Sequence, residues 1–230
     1  MSWNTRMSEL LSAASAHDVG LSIEGTDFAY GGIVVLRGVS MCVAPGEVVG
    51  VVGEREAGKS TLVMGIAGVV RASGGRILGP GGCELTGLST HGIARHVALV
   101  PERDRLFPGL TVDENLLLAA CSGTSMVRSN VDEFYQTYPQ IGRAVARPAS
   151  TLSGGEAALV AIERALLTGL RAVVVDEPFI GLSPAWVSDV GARLRVAAAS
   201  GRAVILTDEA PERATAWCDR VLHLSEWVDR

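Results

Sequence analysis

Gly53-Glu54-Arg55-Glu56-Ala57-Gly58-Lys59-Ser60-Thr61 decides the fold of this chain. Gly, four residues, Gly, Lys and then Ser or Thr is the P-loop spacing, and each position has a chemical reason. The loop wraps a phosphate chain with its backbone N–H groups turned inward. Lys59 would reach the β- and γ-phosphates, and the Ser60 hydroxyl would bind Mg²⁺. The helix that opens here adds its positive dipole end to the anion site. The flanks agree. Glu47 to Val52 is an apolar run of buried-strand length, and Leu62 to Ala67 continues as a helix-length apolar segment. Strand, glycine-rich loop and helix is the context that the motif requires.

Upstream of this stretch, Leu21 to Gly25 alternates like a half-buried strand, and Phe28 to Gly32 ends it in a turn. Ile33 to Leu36 and Val39 to Val43 read as two further strands, and Ala44-Pro45-Gly46 as a turn. Residues 1–20 read as a flexible extension with a short helix over Glu9 to Ala16. Downstream, Ser73-Gly74-Gly75 breaks the helix pattern, Arg76 to Leu78 is a short strand, and Gly79 to Gly82 is a turn. Thr90 to Arg95 predicts a turn or two of helix, and His96 to Val100 a buried strand.

Residues 112 to about 168 change character. Thr111 with Glu114 is a capping box opening a helix through Leu118. A second helix is expected over Val131 to Tyr138 and a third from Ser153 to Leu170. The β/α alternation then resumes: Ala172 to Val175 as strand, Ser183-Pro184 opening a helix to Ala199, Ala203 to Thr207 as strand, a helix from Pro211, and a last strand over Val221 to Leu224. The class is α/β, a P-loop core with an antiparallel β-subdomain near the N-terminus and an inserted helical subdomain.

Asp176 and Glu177 end the run Val173-Val174-Val175. Carboxylates at the carboxyl end of a parallel strand lie in the crevice where ligands bind. Asp176 would hold Mg²⁺ and Glu177 would polarise an attacking water as general base.

Leu152-Ser153-Gly154-Gly155-Glu156 lies between these two motifs and resembles the signature of ABC-transporter ATPases. Ser153 with Glu156 is also an ordinary capping box, but a capping box does not require Gly-Gly. The resemblance covers roughly residues 21 to 224 and implies an ATPase of ABC type with ATP and Mg²⁺ as its ligands. It implies that two cassettes, in a homo- or heterodimer, pair head to tail, so that the signature of one covers the ATP held by the P-loop of the other. Tyr30 matches the aromatic residue that stacks on adenine. Glu102 stands where most such ATPases carry a Gln that contacts Mg²⁺ and water.

Val100 to Pro108 with Leu110 to Leu116, and Gly181-Leu182-Ser183-Pro184, are similar to one branch, the ATP-binding subunits of branched-chain amino-acid importers. In that branch the segment near Glu102 to Leu110 faces transmembrane permease subunits, at the cytoplasmic face of the membrane. Three residues depart from the pattern. Glu56 replaces a loop glycine, and Phe179 replaces a small residue. Glu209 takes the switch position, where His or Gln would donate a hydrogen bond to the γ-phosphate and an ionised Glu cannot. The chain also stops soon after its last strand, where that branch carries a further tail.

Composition narrows the rest. A net charge of -5 and a pI of about 5.4 argue against a nucleic-acid surface. Cys42, Cys83, Cys121 and Cys218 contain no CxxC and read as reduced, mostly buried thiols. No apolar run reaches membrane-span length and no signal peptide is indicated, so membrane association is expected through partners. Two alternatives stay open: a degenerate cassette that binds ATP but hydrolyses it poorly beside an active one, and an ABC ATPase without a transporter.

Overall fold

In the computed structural model, residues 19–122 and 127–228 are described, the side chains of 121 and 122 excepted. The helix expected at Glu9 to Ala16 lies outside them, as does most of the extension expected over residues 1–20. Five strands form a parallel sheet: β3 (Val48–Val52), β6 (Val97–Val100), β7 (Ala172–Val175), β8 (Ala203–Asp208) and β9 (Arg220–His223), in the order β6-β7-β8-β3-β9. Parallel strands need helical crossovers, which cover both faces of the sheet, so the strands read as continuous apolar runs. The side chains confirm the two-sidedness. Val173, Val175, Val204 and Leu206 enter one core cluster, while Ala172, Val174, Ala203 and Ile205 enter the other.

The first cluster holds α3 (Val112–Leu117), α4 (Val127–Thr137), α6 (Gly154–Leu167) and α7 (Pro184–Ala199) against the sheet. The second holds α1 (Lys59–Ile66) and the antiparallel sheet of β1 (Leu21–Tyr30), β2 (Ile33–Val43), β4 (Arg71–Ser73) and β5 (Arg76–Leu78). The remaining helices are short: α2 (Thr90–Ile93), α5 (Pro139–Gly142) and α8 (Pro211–Trp217).

Several expected boundaries move. The strand expected over Leu21 to Gly25 runs on to Tyr30, because Gly25 takes a φ of 60° and absorbs a register shift between Ile23 and Thr26. The two strands expected over Ile33 to Val43 are one. Gly38, with a φ of 56°, sits in a register shift within that strand, and its N–H donates to Asp27 Oδ1 at 2.7 Å. β4 was not expected; it exists through its pairing with Asp27 to Ala29. The third helix of the 112–168 region stops at Leu167 rather than Leu170. Ser183 occupies the cap position of α7 but its side chain makes no cap hydrogen bond. Cys83 and Cys218 are free thiols, and they and Cys42 are half-buried rather than sealed in the core.

Candidate functional site

Strand register builds the site. Val52 of β3 pairs with Asp208, Val100 with Val175, and Val175 with Leu206. All these strands therefore end at one edge, and Gly53, Glu102, Asp176, Glu177 and Glu209 follow those ends within one or two residues. A cavity of about 300 Å³ opens there, lined by Arg55, Glu56, Gly58, Lys59, Ser60, Thr61, Glu102, Arg103, Glu177, Ile180 and Glu209. The structure thus brings together residues separated by more than a hundred positions in the chain.

Lys59 sits at its centre and is buried. Its Nζ donates to the carbonyls of Gly53 at 2.9 Å and Glu54 at 2.8 Å. It also lies 3.1 Å from Glu177 Oε1 and 3.9 Å from Glu209 Oε1. Burial holds the Glu177 carboxyl above its usual value; Lys59 pulls it down, and the Asp208 and Glu209 charges add to the rise. Glu177 adopts a left-handed φ of 46°. Its N–H donates to Thr207 Oγ1 at 3.0 Å, and Thr207 Oγ1 donates to Asp176 Oδ1 at 2.7 Å. One hydroxyl thus fixes both neighbouring carboxylate residues from the next strand.

The loop itself takes unusual backbone angles. Gly58 has a φ of 105° and Glu56 a φ of 65°. The first intrahelical bond of α1 runs from Leu62 N to Gly58 O, so the amides ahead of it have no helical acceptor. That arrangement suits a phosphate chain. For Mg²⁺, among the described residues no group of three His, Cys, Asp or Glu could hold a metal ion. Magnesium ordinarily takes one or two protein oxygens and completes its shell with phosphates and waters. Ser60 and Asp176 fit that pattern, and Glu177 Oε2, buried with no hydrogen-bond partner, leaves an acceptor for water beside them.

The other expected residues lie elsewhere. Tyr30, at the β1–β2 turn, is 51% exposed and outside the cavity. Leu152 to Glu156 form the start of α6 and do not line the cavity either. The capping box is real: Glu156 N donates to Ser153 Oγ at 3.3 Å and Ser153 N to Glu156 Oε2 at 2.8 Å. The two glycines differ. A Cβ on Gly155 would stand 2.3 Å from Trp186 Cγ, whereas one on Gly154 would meet only Leu182 at 3.9 Å. Phe179 is fully buried in the core.

Some residues around the site were given no role of their own by the sequence. Arg105 donates to the Glu177 carbonyl at 2.8 Å and to the Pro101 carbonyl at 3.1 Å. Arg164 donates to the Arg105 carbonyl and lies over the Phe107 ring, 5.5 Å from its centroid. Buried Asn115 accepts from Phe107 N at 2.9 Å and donates to the Phe107 and Thr111 carbonyls at 3.0 Å each. Arg213 forks onto buried Asp208. A conspicuous signal existed only for Asn115, one residue after a capping-box Glu.

The ABC transporter family profile matches residues 36–180. A high-affinity branched-chain amino acid transport ATP-binding protein, BraG of Pseudomonas aeruginosa, is 34% identical over 87% of this chain and 86% of its own. The Nod factor export ATP-binding protein I of a Rhizobium sp. (strain N33) is 31% identical over 88% of this chain and 67% of its own. A solved ATP-binding cassette of an ABC transporter, in its ADP conformation, superposes with a TM-score of 0.75 at 25% identity, over 90% of this chain and 87% of that one. With this loop, these strand ends and this signature in one sequence, the chain belongs to the ATP-binding subunits of ABC transporters, a family of ATPases.

Proposed function

We propose that this chain drives an importer of the branched-chain amino-acid type, as one of two cassettes that close on ATP and Mg²⁺. The observation that carries the reading is the convergence of Lys59, Asp176 and Glu177 at one end of the parallel sheet. Lys59 exchanges its carboxylate partners for phosphate oxygens. The amides at the start of α1 hold the phosphate chain, and Tyr30 stacks on the base. Ser60 and Asp176, with Glu102 at the rim, hold Mg²⁺, which supplies charge neutralisation on the phosphates. Glu177 orients a water and takes its proton, helped by a carboxyl poised above the usual range. Leu152 to Glu156 act across the dimer, presenting a helix start to the partner cassette's nucleotide.

The expected membrane contact near Glu102 to Leu110 is supported by an apolar groove of about 330 Å³ beside it, lined in part by Val69, Leu99, Phe107 and Leu170. Phe107 is 55% exposed there. Among the described residues no helix is long and apolar enough to cross a membrane, so permease subunits would supply the spans, with this chain at the cytoplasmic face. Lys59→Ala tests the reading: ATP affinity by calorimetry should fall at least tenfold, and an unchanged affinity would refute it.

A second reading is favoured by Glu56 and Glu209, which line the phosphate cavity. In it this chain pairs with a different cassette and its own site hydrolyses slowly.

A further inference from the structure

The cavity at the strand ends carries the carboxylates of Glu56, Glu102, Glu177 and Glu209 against the cations of Arg55, Lys59 and Arg103. That is an unusual lining for a polyanion. Its negative groups are not equivalent. Glu177 is buried, fixed through Thr207 and Arg105, and has Lys59 at 3.1 Å. Glu209 stands at the mouth, 40% exposed, with Lys59 at the longer distance of 3.9 Å. The nearest arginine in sequence, Arg213, is committed to the neighbouring Asp208 through its Nε at 2.7 Å and a second, shorter contact. Among the described residues the cation that Glu209 approaches within 4.0 Å is Lys59, and Glu209 shares it with Glu177.

The phosphates of a nucleotide meet this lining unequally. Those nearer the ribose would lie over the loop amides and the positive end of α1, which favour any anion. The terminal phosphate would extend toward the strand ends, where Glu209 shares the Lys59 ammonium. A carboxylate there has no proton to donate and competes for the cation that the phosphate needs.

We infer that this site binds a nucleoside diphosphate in preference to the triphosphate, and that Glu209 sets the preference. The inference rests on the nucleotide-site reading above and adds to it a ligand selectivity. The cassette then holds its reaction product more firmly than its substrate.

The test is the ratio of two affinities, measured by calorimetry on the full chain with Mg²⁺, for ADP and for a non-hydrolysable ATP analogue. Wild type should bind ADP about tenfold tighter. Glu209→Gln should tighten the analogue about tenfold and leave ADP within about twofold. Glu212→Gln, a charge change three residues further on, in α8 and outside the cavity, should move neither. Glu209→His, which adds a donor, should act as Glu209→Gln does, and serves if that variant folds poorly. The selectivity is overturned if wild type binds the analogue as tightly as ADP. It is also overturned if Glu212→Gln shifts the ratio as far as Glu209→Gln does. If neither nucleotide binds wild type, the nucleotide-site reading falls and takes this inference with it.

Discussion

At Glu56 the loop demands a left-handed backbone angle, 65° in φ, that costs an L-residue roughly 1 kcal/mol and glycine nothing. Glu56→Gly should therefore stabilise the chain slightly, by up to about 0.5 kcal/mol after allowance for the freedom glycine gains when unfolded. A rise in the urea midpoint at constant slope would show it; a fall would mean that the Glu56 side chain contributes more than its backbone costs. Glu177 offers a second residue-scale prediction. Its carboxyl is held above the usual 4.5. Between 4.5 and the raised value, the folded chain keeps a proton that the unfolded chain has lost. The associated stability is fully present below the unfolded value and is lost as pH rises through the folded one. As pH falls through the raised value toward 4.5, the melting temperature of wild type should rise relative to that of Glu177→Gln, which binds no such proton. A difference that stays flat with pH would show that burial does not perturb this carboxyl.

Among the elements, α6 shows how a motif can carry two demands at once. Ser153 and Glu156 close a capping box, while Gly155 lets Trp186 of α7 pack against the helix start. Gly155→Ala would push a methyl group into the indole and should cost roughly 1–3 kcal/mol. Gly154→Ala would make only an ordinary contact with Leu182 and should change stability by less than about 0.5 kcal/mol. Equal denaturation midpoints for the two variants would remove the packing argument. The strands after residue 96 were legible because each is a short apolar run followed at once by a polar or turn residue, and such a boundary marked Asp176 and Glu177, whereas Glu209 was legible through the family resemblance. The N-terminal sheet was less so. Gly25 and Gly38 read as strand ends, but a neighbouring strand can absorb such residues as bulges. Three-residue β4 has no pattern of its own. Arg105, which acts on a carbonyl 72 residues away, leaves no local trace, and neither does Thr207.

Across the whole molecule, Lys59, Asp176 and Glu177 lie at one sheet edge, while Leu152 to Glu156 at the start of α6 lie outside that cavity. On the proposed reading, a cassette of this kind offers half of each of two sites. If the second reading holds, the site built on Lys59, Asp176 and Glu177 is the slower one, and the partner's site borrows Ser153, Gly154 and Gly155 from this chain. Ser153→Arg should then lower the ATPase rate of the assembled complex more than Glu177→Gln does, and Glu209→His should raise the slower site's rate. Abolition of turnover by Glu177→Gln, with no effect of Ser153→Arg, would favour the symmetric reading. Circular dichroism must first show that Ser153→Arg folds, because the cap it disrupts is worth about 1 kcal/mol.

The contact of Trp186 with Gly155 is matched further along by a second one, the pair of Arg193 Nη2 with Glu163 Oε1 at 2.8 Å. The two lie about two helical turns apart on both α6 and α7. Helices riveted at two points cannot swivel about either one; they tilt together as a single plank. The helix that begins with the signature and the helix that follows the Asp176-Glu177 loop are the two halves of that plank. On the proposed reading, a rotation of α6 would carry α7 with it, so a displacement of one loop is expected at the other.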